Sequence, residues 1–325
     1  MTARRIFLQT LAAAALPAAM ERTWAQAKPR VFRVGLLSIV GRDTPYHVAF
    51  LQRMRELGYV EGRNFILDMR PFQSRDELPA LAAALARSGC DVMLGAGSEA
   101  QLLAFRAAAV TQPVVMVAID YDPVARGHIK SLPRPGGVIT GVTFQNVEIV
   151  GKRLEQLKET LPKADRIAVL FDDSTRDQLS AAEAAAKTLG LTLLPAALSG
   201  ASYDFDAAAA TARAKRAKAI LLLSSGAFFA GRFKLIAAAS RERLPVFSNR
   251  NYDEAGALLA FGPSFPEMYR RAAEFVDRIL KGAKPADLPV EQPTRFELIV
   301  NLKTAKTLGI KIPESVMLRA DRVIE

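Results

Sequence analysis

Arg166-Ile167-Ala168-Val169-Leu170-Phe171, followed by Asp172-Asp173-Ser174-Thr175, stands near the middle of a 325-residue chain and starts a pattern over again. An unbroken apolar run of this length reads as a strand buried on both faces. The acids and hydroxyls after it are residues that cap the helix expected from near Thr175. The same order opens the series at 31–37, with a helix from near Thr44. Working outward, further strands are expected at 64–69, 92–95, 114–119, 192–194, 219–223, 245–247 and 258–261. Helices are expected to begin near Arg75, Ser98, Val147, Phe205, Phe228 and Phe265. Strict alternation of strand and helix predicts parallel sheets with helices on both sides, and its repetition predicts two doubly wound, Rossmann-like α/β lobes.

Between the two series lies Pro133-Arg134-Pro135-Gly136-Gly137, the strongest turn-forming stretch of the region, with Thr140-Gly141-Val142-Thr143 close behind it. It reads as the first crossing between lobes. A return near 250–256 and another crossing near 291–294 would complete a three-segment hinge. The first lobe is then 28–145 plus 251–292, and the second 146–250 plus 293–325.

The first 27 residues read as an export signal. Met1-Thr2-Ala3-Arg4-Arg5 is a short basic start, an Ala/Leu run too short to span a bilayer follows, and Ala25-Gln26-Ala27 offers a cleavage site. Arg4-Arg5-Ile6-Phe7-Leu8 resembles a twin-arginine motif, and without a cysteine at the cleavage site no lipid anchor is expected. The expected product starts near Lys28 and works in the periplasm. The chain carries a formal net charge of +11, but basic residues alternate with acids, as in Lys152-Arg153-Leu154-Glu155. That is the pattern of a solvated helix face, and with export it argues against nucleic acid as a partner. Cys90, the single cysteine, precedes the apolar run Val92-Met93-Leu94 and is expected to be buried rather than reactive.

Ligands of parallel sheets gather at the carboxyl ends of strands. Four such ends carry polar groups: Ser38, Gly97-Ser98, Asp120-Tyr121-Asp122 and Ser224-Ser225. Ser98 has Gln101 at capping-box distance and is placed to hold an anionic group at a helix N-terminus. Tyr46, Tyr121, Phe228 and Tyr252 could wall an apolar slot, or could simply pack. Gly95-Ala96-Gly97-Ser98-Glu99-Ala100 fits the G-x-G-x-x-A dinucleotide fingerprint, with Asp120 about 20 residues on, although it follows the third strand rather than the first. That leaves open an exported NAD(P)-dependent oxidoreductase. Asp172-Asp173 is a carboxylate pair better placed to cap a helix than to catalyse. His47 and His128 lack partners at metal-ligand spacing, and neither a G-x-S-x-G elbow nor a P-loop occurs. No catalytic residue, metal or cofactor is therefore expected.

Several stretches resemble the ABC-transporter substrate-binding protein family of tryptophan- and phenylalanine-binding type. They are Tyr121-Asp122-Pro123-Val124, Thr140-Gly141-Val142, Lys152-Arg153-Leu154-Glu155, and above all Lys281-Gly282-Ala283-Lys284-Pro285-Ala286-Asp287-Leu288-Pro289-Val290-Glu291-Gln292-Pro293-Thr294 with Phe296-Glu297-Leu298-Ile299-Val300-Asn301. The resemblance implies the periplasmic-binding-protein type I fold: a monomer without catalysis that closes two lobes over a small solute. It hands that solute to an inner-membrane permease driven by a cytoplasmic ATPase. A ligand-sensing module for a membrane receptor would use the same fold. An amino acid or other small carboxylate is the favoured ligand. The expected ligand-binding set is Ser38, Tyr46, Gly97, Ser98, Asp120, Tyr121, Asp122, Thr143, Asp172, Ser224, Ser225, Phe228, Asn249 and Tyr252. Val138 and Asn251 depart from residues common in the family and bear on specificity.

Overall fold

The computed structural model describes residues 30–144, 146–200, 203–249 and 252–325. The expected export signal and Asn251 lie outside the described residues. The first sheet holds β1 (Phe32–Ser38), β2 (Phe65–Pro71), β3 (Val92–Gly97), β4 (Val114–Ala118) and β5 (Ile139–Thr143), all parallel, in the order β2-β1-β3-β4-β5. One face packs on helices α1 (Pro45–Glu56) and α9 (Phe265–Leu280), the other on α2 (Leu78–Arg87) and α3 (Glu99–Ala107).

The second sheet repeats that order in β6 (Arg166–Phe171), β7 (Thr192–Ala197), β8 (Ala219–Leu222), β9 (Val246–Ser248) and β10 (Leu259–Pro263), then adds β11 (Phe296–Asn301) and β12 (Arg322–Ile324). Its flanking helices are α4 (Asn146–Thr160), α5 (Arg176–Leu189), α6 (Phe205–Ala214), α7 (Gly226–Ala230), α8 (Arg232–Arg241), α10 (Leu302–Leu308) and α11 (Glu314–Leu318). In both sheets the second strand lies on one side of the first and the third on the other. A crevice therefore opens outside the carboxyl ends of β1 and β3 in one lobe, and of β6 and β8 in the other.

Two departures from the sequence reading have clear causes. Residues 252–263 stay in the second lobe instead of returning to the first at 251, because β10 pairs parallel with β9 and antiparallel with β11 over Leu259–Pro263. Its backbone groups are satisfied only inside that sheet. The β10/β11 pair also breaks the all-parallel expectation. The crossing comes after Pro263, where α9 buries Phe265, Met268, Tyr269, Ala272, Phe275, Val276 and Ile279 at helical spacing against the first lobe. From there the chain runs beside β5. Thr140 Oγ1 donates to Leu288 O at 2.7 Å, and Glu291 N donates to Gly141 O at 2.9 Å, before residues 292–295 cross back. Gly141 has φ 134°, and a Cβ there would lie 2.1 Å from Met116 O, so only glycine allows β5 to approach β4 at this point. β5, β11 and β12 are strands beyond those expected from the sequence.

Candidate functional site

The carboxyl ends of the two sheets face one cavity of about 660 Å³. That lies within the usual range for small-molecule sites, about 300–1,000 Å³. The lobes touch across it: a Cβ on Gly226 would meet Ser98 Cβ at 3.1 Å and Asp120 Oδ2 at 3.9 Å. Behind it, the fully buried Gln178 ties them together. Its amide donates to Ser224 O at 3.1 Å and to Asp120 O at 3.5 Å, and its Oε1 accepts from Ser224 N at 2.8 Å.

Eight of the expected ligand residues line this cavity: Ser38, Tyr46, Gly97, Ser98, Asp120, Ser224, Ser225 and Asn249. Most of their polar groups are already engaged. Ser38 Oγ closes a local turn with Val40. Ser224 Oγ donates to Asn146 Oδ1 at 2.7 Å and accepts from Asn249 Nδ2 at 3.0 Å. Ser225 Oγ caps α7 and donates to Asp172. Tyr46 stacks near Tyr269, with ring centroids 4.8 Å apart, and burial pushes its hydroxyl up to about 12.

The other six do not line it. Tyr121, Asp122 and Thr143 border a smaller cavity of about 100 Å³ behind the hinge. There Asp122 caps its own loop through Val124 N and Ala125 N. Asp172 lies behind the second-lobe wall. It accepts from Ser174, Ser225 and the Tyr203 hydroxyl, the last at 3.1 Å, and caps the turn into α5. Phe228 is fully buried between Tyr203 and Phe205, and Tyr252 packs on Phe229. Val138 is exposed and borders neither cavity. Cys90 is buried, as its apolar surroundings suggested.

Ser98 also departs from expectation. It holds the N-cap position of α3 without a capping hydrogen bond, and its hydroxyl instead donates to Gln101 Oε1 at 2.7 Å. The group at that helix end is Asp120, whose Oδ1 accepts from Glu99 N at 3.0 Å. A carboxylate in this place opposes an anionic ligand group at Ser98. It also opposes a pyrophosphate on the Gly95-x-Gly97-x-x-Ala100 turn, because it supplies the charge that the helix terminus favours and repels a second one. Burial pushes the Asp120 carboxyl up to about 7, against the opposing pull of the Glu99 N–H. Glu99 turns its own side chain to His128, with Oε1 to Nε2 at 2.7 Å.

The cavity further involves Arg75, Tyr203, Phe205, Phe229, Lys234 and Tyr269, which the sequence reading did not select. Arg75 follows Ser74 in the capping box after β2, and Tyr203 and Phe205 follow β7. The strand-end rule, applied to every strand rather than four, would have reached them. Tyr269 arrives on α9, from a segment far away in sequence, and no local signal marks it.

A family model described as ABC transporter substrate binding protein matches residues 34–324. The chain belongs to this family. Its members are solute-binding proteins rather than enzymes: they bind a small-molecule ligand and work with an ABC transporter. The chain is 23% identical over 270 residues to a tyrosine-binding protein of Clostridioides difficile (strain R20291), covering 81% of this chain and 76% of that one. Among solved structures it resembles an ABC domain from Streptococcus pneumonia in complex with L-Trp, at TM-score 0.83 and 24% identity, over 90% of this chain and 100% of the other. A conserved domain protein of Vibrio cholerae gives TM-score 0.82 and 26% identity, over 90% and 100%. Among the described residues of this substrate-binding protein, no helix is long and apolar enough to cross a membrane.

Proposed function

We propose that this chain is the periplasmic receptor of an ABC importer, exported through its twin-arginine-like leader, and that it binds an amino acid between its lobes and delivers it to the permease. The observation that carries the reading is the cavity itself. Two strand-order reversals face each other across it, aromatic rings of Tyr46, Tyr203, Phe229 and Tyr269 wall it, and polar groups of both lobes reach it. Rings of this kind hold an apolar side chain through edge and face contacts, and the polar groups orient the rest of the solute. An aromatic amino acid suits such a slot, and the tyrosine- and L-Trp-binding relatives support that choice. A ligand that contacts both lobes favours their closed arrangement by its differential affinity, and the permease then reads the closed form. Monomers suffice for this cycle.

The test is a thermal-shift screen of the mature protein against the amino acids, small carboxylates and NADH. A ligand present at 100 times its Kd stabilises by about 2.7 kcal/mol, a shift of several degrees. Stabilisation by an amino acid supports the proposal. A response to NADH alone would restore the oxidoreductase reading.

A further inference from the structure

Among the described residues, Asp120 is the one carboxylate of the cavity wall with a buried oxygen that lacks a partner. It is 3% exposed, lies just beyond β4, and borders the cavity. Oδ1 is satisfied by the Glu99 N–H, whereas Oδ2 is buried and has no hydrogen-bond partner among the described residues. Oδ2 faces Gly226 of the opposite lobe, where a Cβ built on that glycine would lie 3.9 Å from it.

The surroundings do not neutralise it. Glu99 is committed to His128, Asp172 is a second carboxylate in the facing lobe, and Gln178 meets only the Asp120 carbonyl. Arg75 acts on Asp120 from the exposed rim without forming an ion pair with it. A buried carboxylate oxygen without a partner is costly, and structures retain one where something outside the chain supplies the donor. The donor must carry hydrogen, and a cation satisfies the charge as well. An alkylammonium does both, through a short charge-assisted N–H···O⁻ bond.

Resting on the reading that the cavity is the solute site, we propose that Asp120 Oδ2 binds a protonated amine of the ligand, so that this protein selects amine-bearing solutes over sugars and simple carboxylic acids. The remaining ammonium hydrogens face the Ser98 and Gly226 side of the cleft, and the aromatic walls take the rest of the solute.

The experiment is calorimetric titration of the mature wild type and of Asp120→Asn. The probes are L-tyrosine, L-tryptophan and L-phenylalanine, each beside its counterpart lacking the amine: 3-(4-hydroxyphenyl)propionate, indole-3-propionate and 3-phenylpropionate. The wild type is expected to bind at least one amino acid 30-fold or more tightly than its amine-free counterpart. Asp120→Asn should lose 30-fold or more on the amino acid and keep or gain affinity for the counterpart. Equal wild-type affinity for a pair, or an Asp120→Asn variant that keeps full affinity, overturns the assignment. If that variant does not fold, the wild-type pairs decide alone. Where no pair binds, the wild type is titrated with putrescine, glucose and succinate. Binding of putrescine supports the assignment, binding of glucose or succinate alone overturns it while leaving the solute-receptor reading intact, and silence throughout overturns both.

Discussion

If Asp120 is the group that burial charges most heavily for closing on an empty cavity, the unliganded protein should open as pH rises. Its carboxyl goes from 3.8 when hydrated to about 7 with the lobes together, burial being the main cause. A carboxyl raised in this way favours the state that keeps its proton. The closed form therefore has its full stability below about pH 4, loses ground between 4 and 7, and reaches its largest penalty above 7. About three pKa steps at 1.36 kcal/mol each give a penalty of about 4 kcal/mol at pH 8, against between about 1 and 2 at pH 5. The difference, about 3 kcal/mol, is a roughly 100-fold change in the closed-to-open ratio. Opening rehydrates the carboxylate, so the cost falls on closure rather than on folding.

Small-angle scattering of ligand-free protein reads this directly. The radius of gyration should grow from pH 5 to pH 8 in the wild type and stay at the compact value in Asp120→Asn, which has no charge to bury. His47 lies beside the cavity wall, and burial pulls its pKa down; His128 sits behind it. His47 has a pH response of its own, and the comparison with Asp120→Asn removes that contribution because the histidine remains. Identical pH responses in the two proteins would refute the reasoning.

Gly226→Val places methyl groups against Ser98, where even a Cβ comes within 3.1 Å. It should weaken ligand binding at least tenfold by wedging the lobes apart, with the unliganded melting temperature changed by no more than a few degrees; unchanged affinity in titration would count against the closed contact. Gln178→Ala strands the Ser224 N–H and carbonyl and leaves a buried hole. It should cost about 2–4 kcal/mol in urea unfolding, and a loss below about 0.5 kcal/mol would show the bridge to be dispensable. Replacing Arg4 and Arg5 together by Lys should trap the precursor in the cytoplasm on fractionation, and normal export would point to the general secretory route.

The fold was legible because its strands announce themselves. Val31–Leu37 and Arg166–Phe171 are apolar runs followed by capping residues, and the repetition between them forced two lobes. What escaped was tertiary. β10 looks like any other strand, and nothing local says that Leu259 will pair with Phe247 and Val300 rather than join the first sheet. At the site, polar residues at strand ends were a sound guide to position and a poor one to role. Ser38, Ser98, Ser224 and Ser225 all border the cavity, yet each hydroxyl is spent on a protein partner. Whether a hydroxyl is free depends on residues far away in sequence, Asn146 and Asn249 for Ser224 and Asp172 for Ser225.

That expenditure explains how closure can be both selective and fixed in register. Asn146, at the start of α4, donates to Ile119 O in the first lobe and accepts from Ser224 and from the buried Arg153, whose Nε donates to Phe261 O at 3.0 Å. These residues flank two of the three crossing segments, so the polar network ties strand ends of both lobes at their junction. Such a network specifies one closed geometry and spends the Asn146 amide and the Ser224 hydroxyl on protein partners, although Arg153 Nη1 stays buried without one. The solute must then be recognised by what the network leaves over. On the first lobe that remainder is Asp120 Oδ2, beside Gly226 of the second lobe. A charge at this contact between the lobes opposes closure on an empty cavity and favours it once a cationic group arrives. The same atom therefore couples which solute is bound to whether the lobes shut.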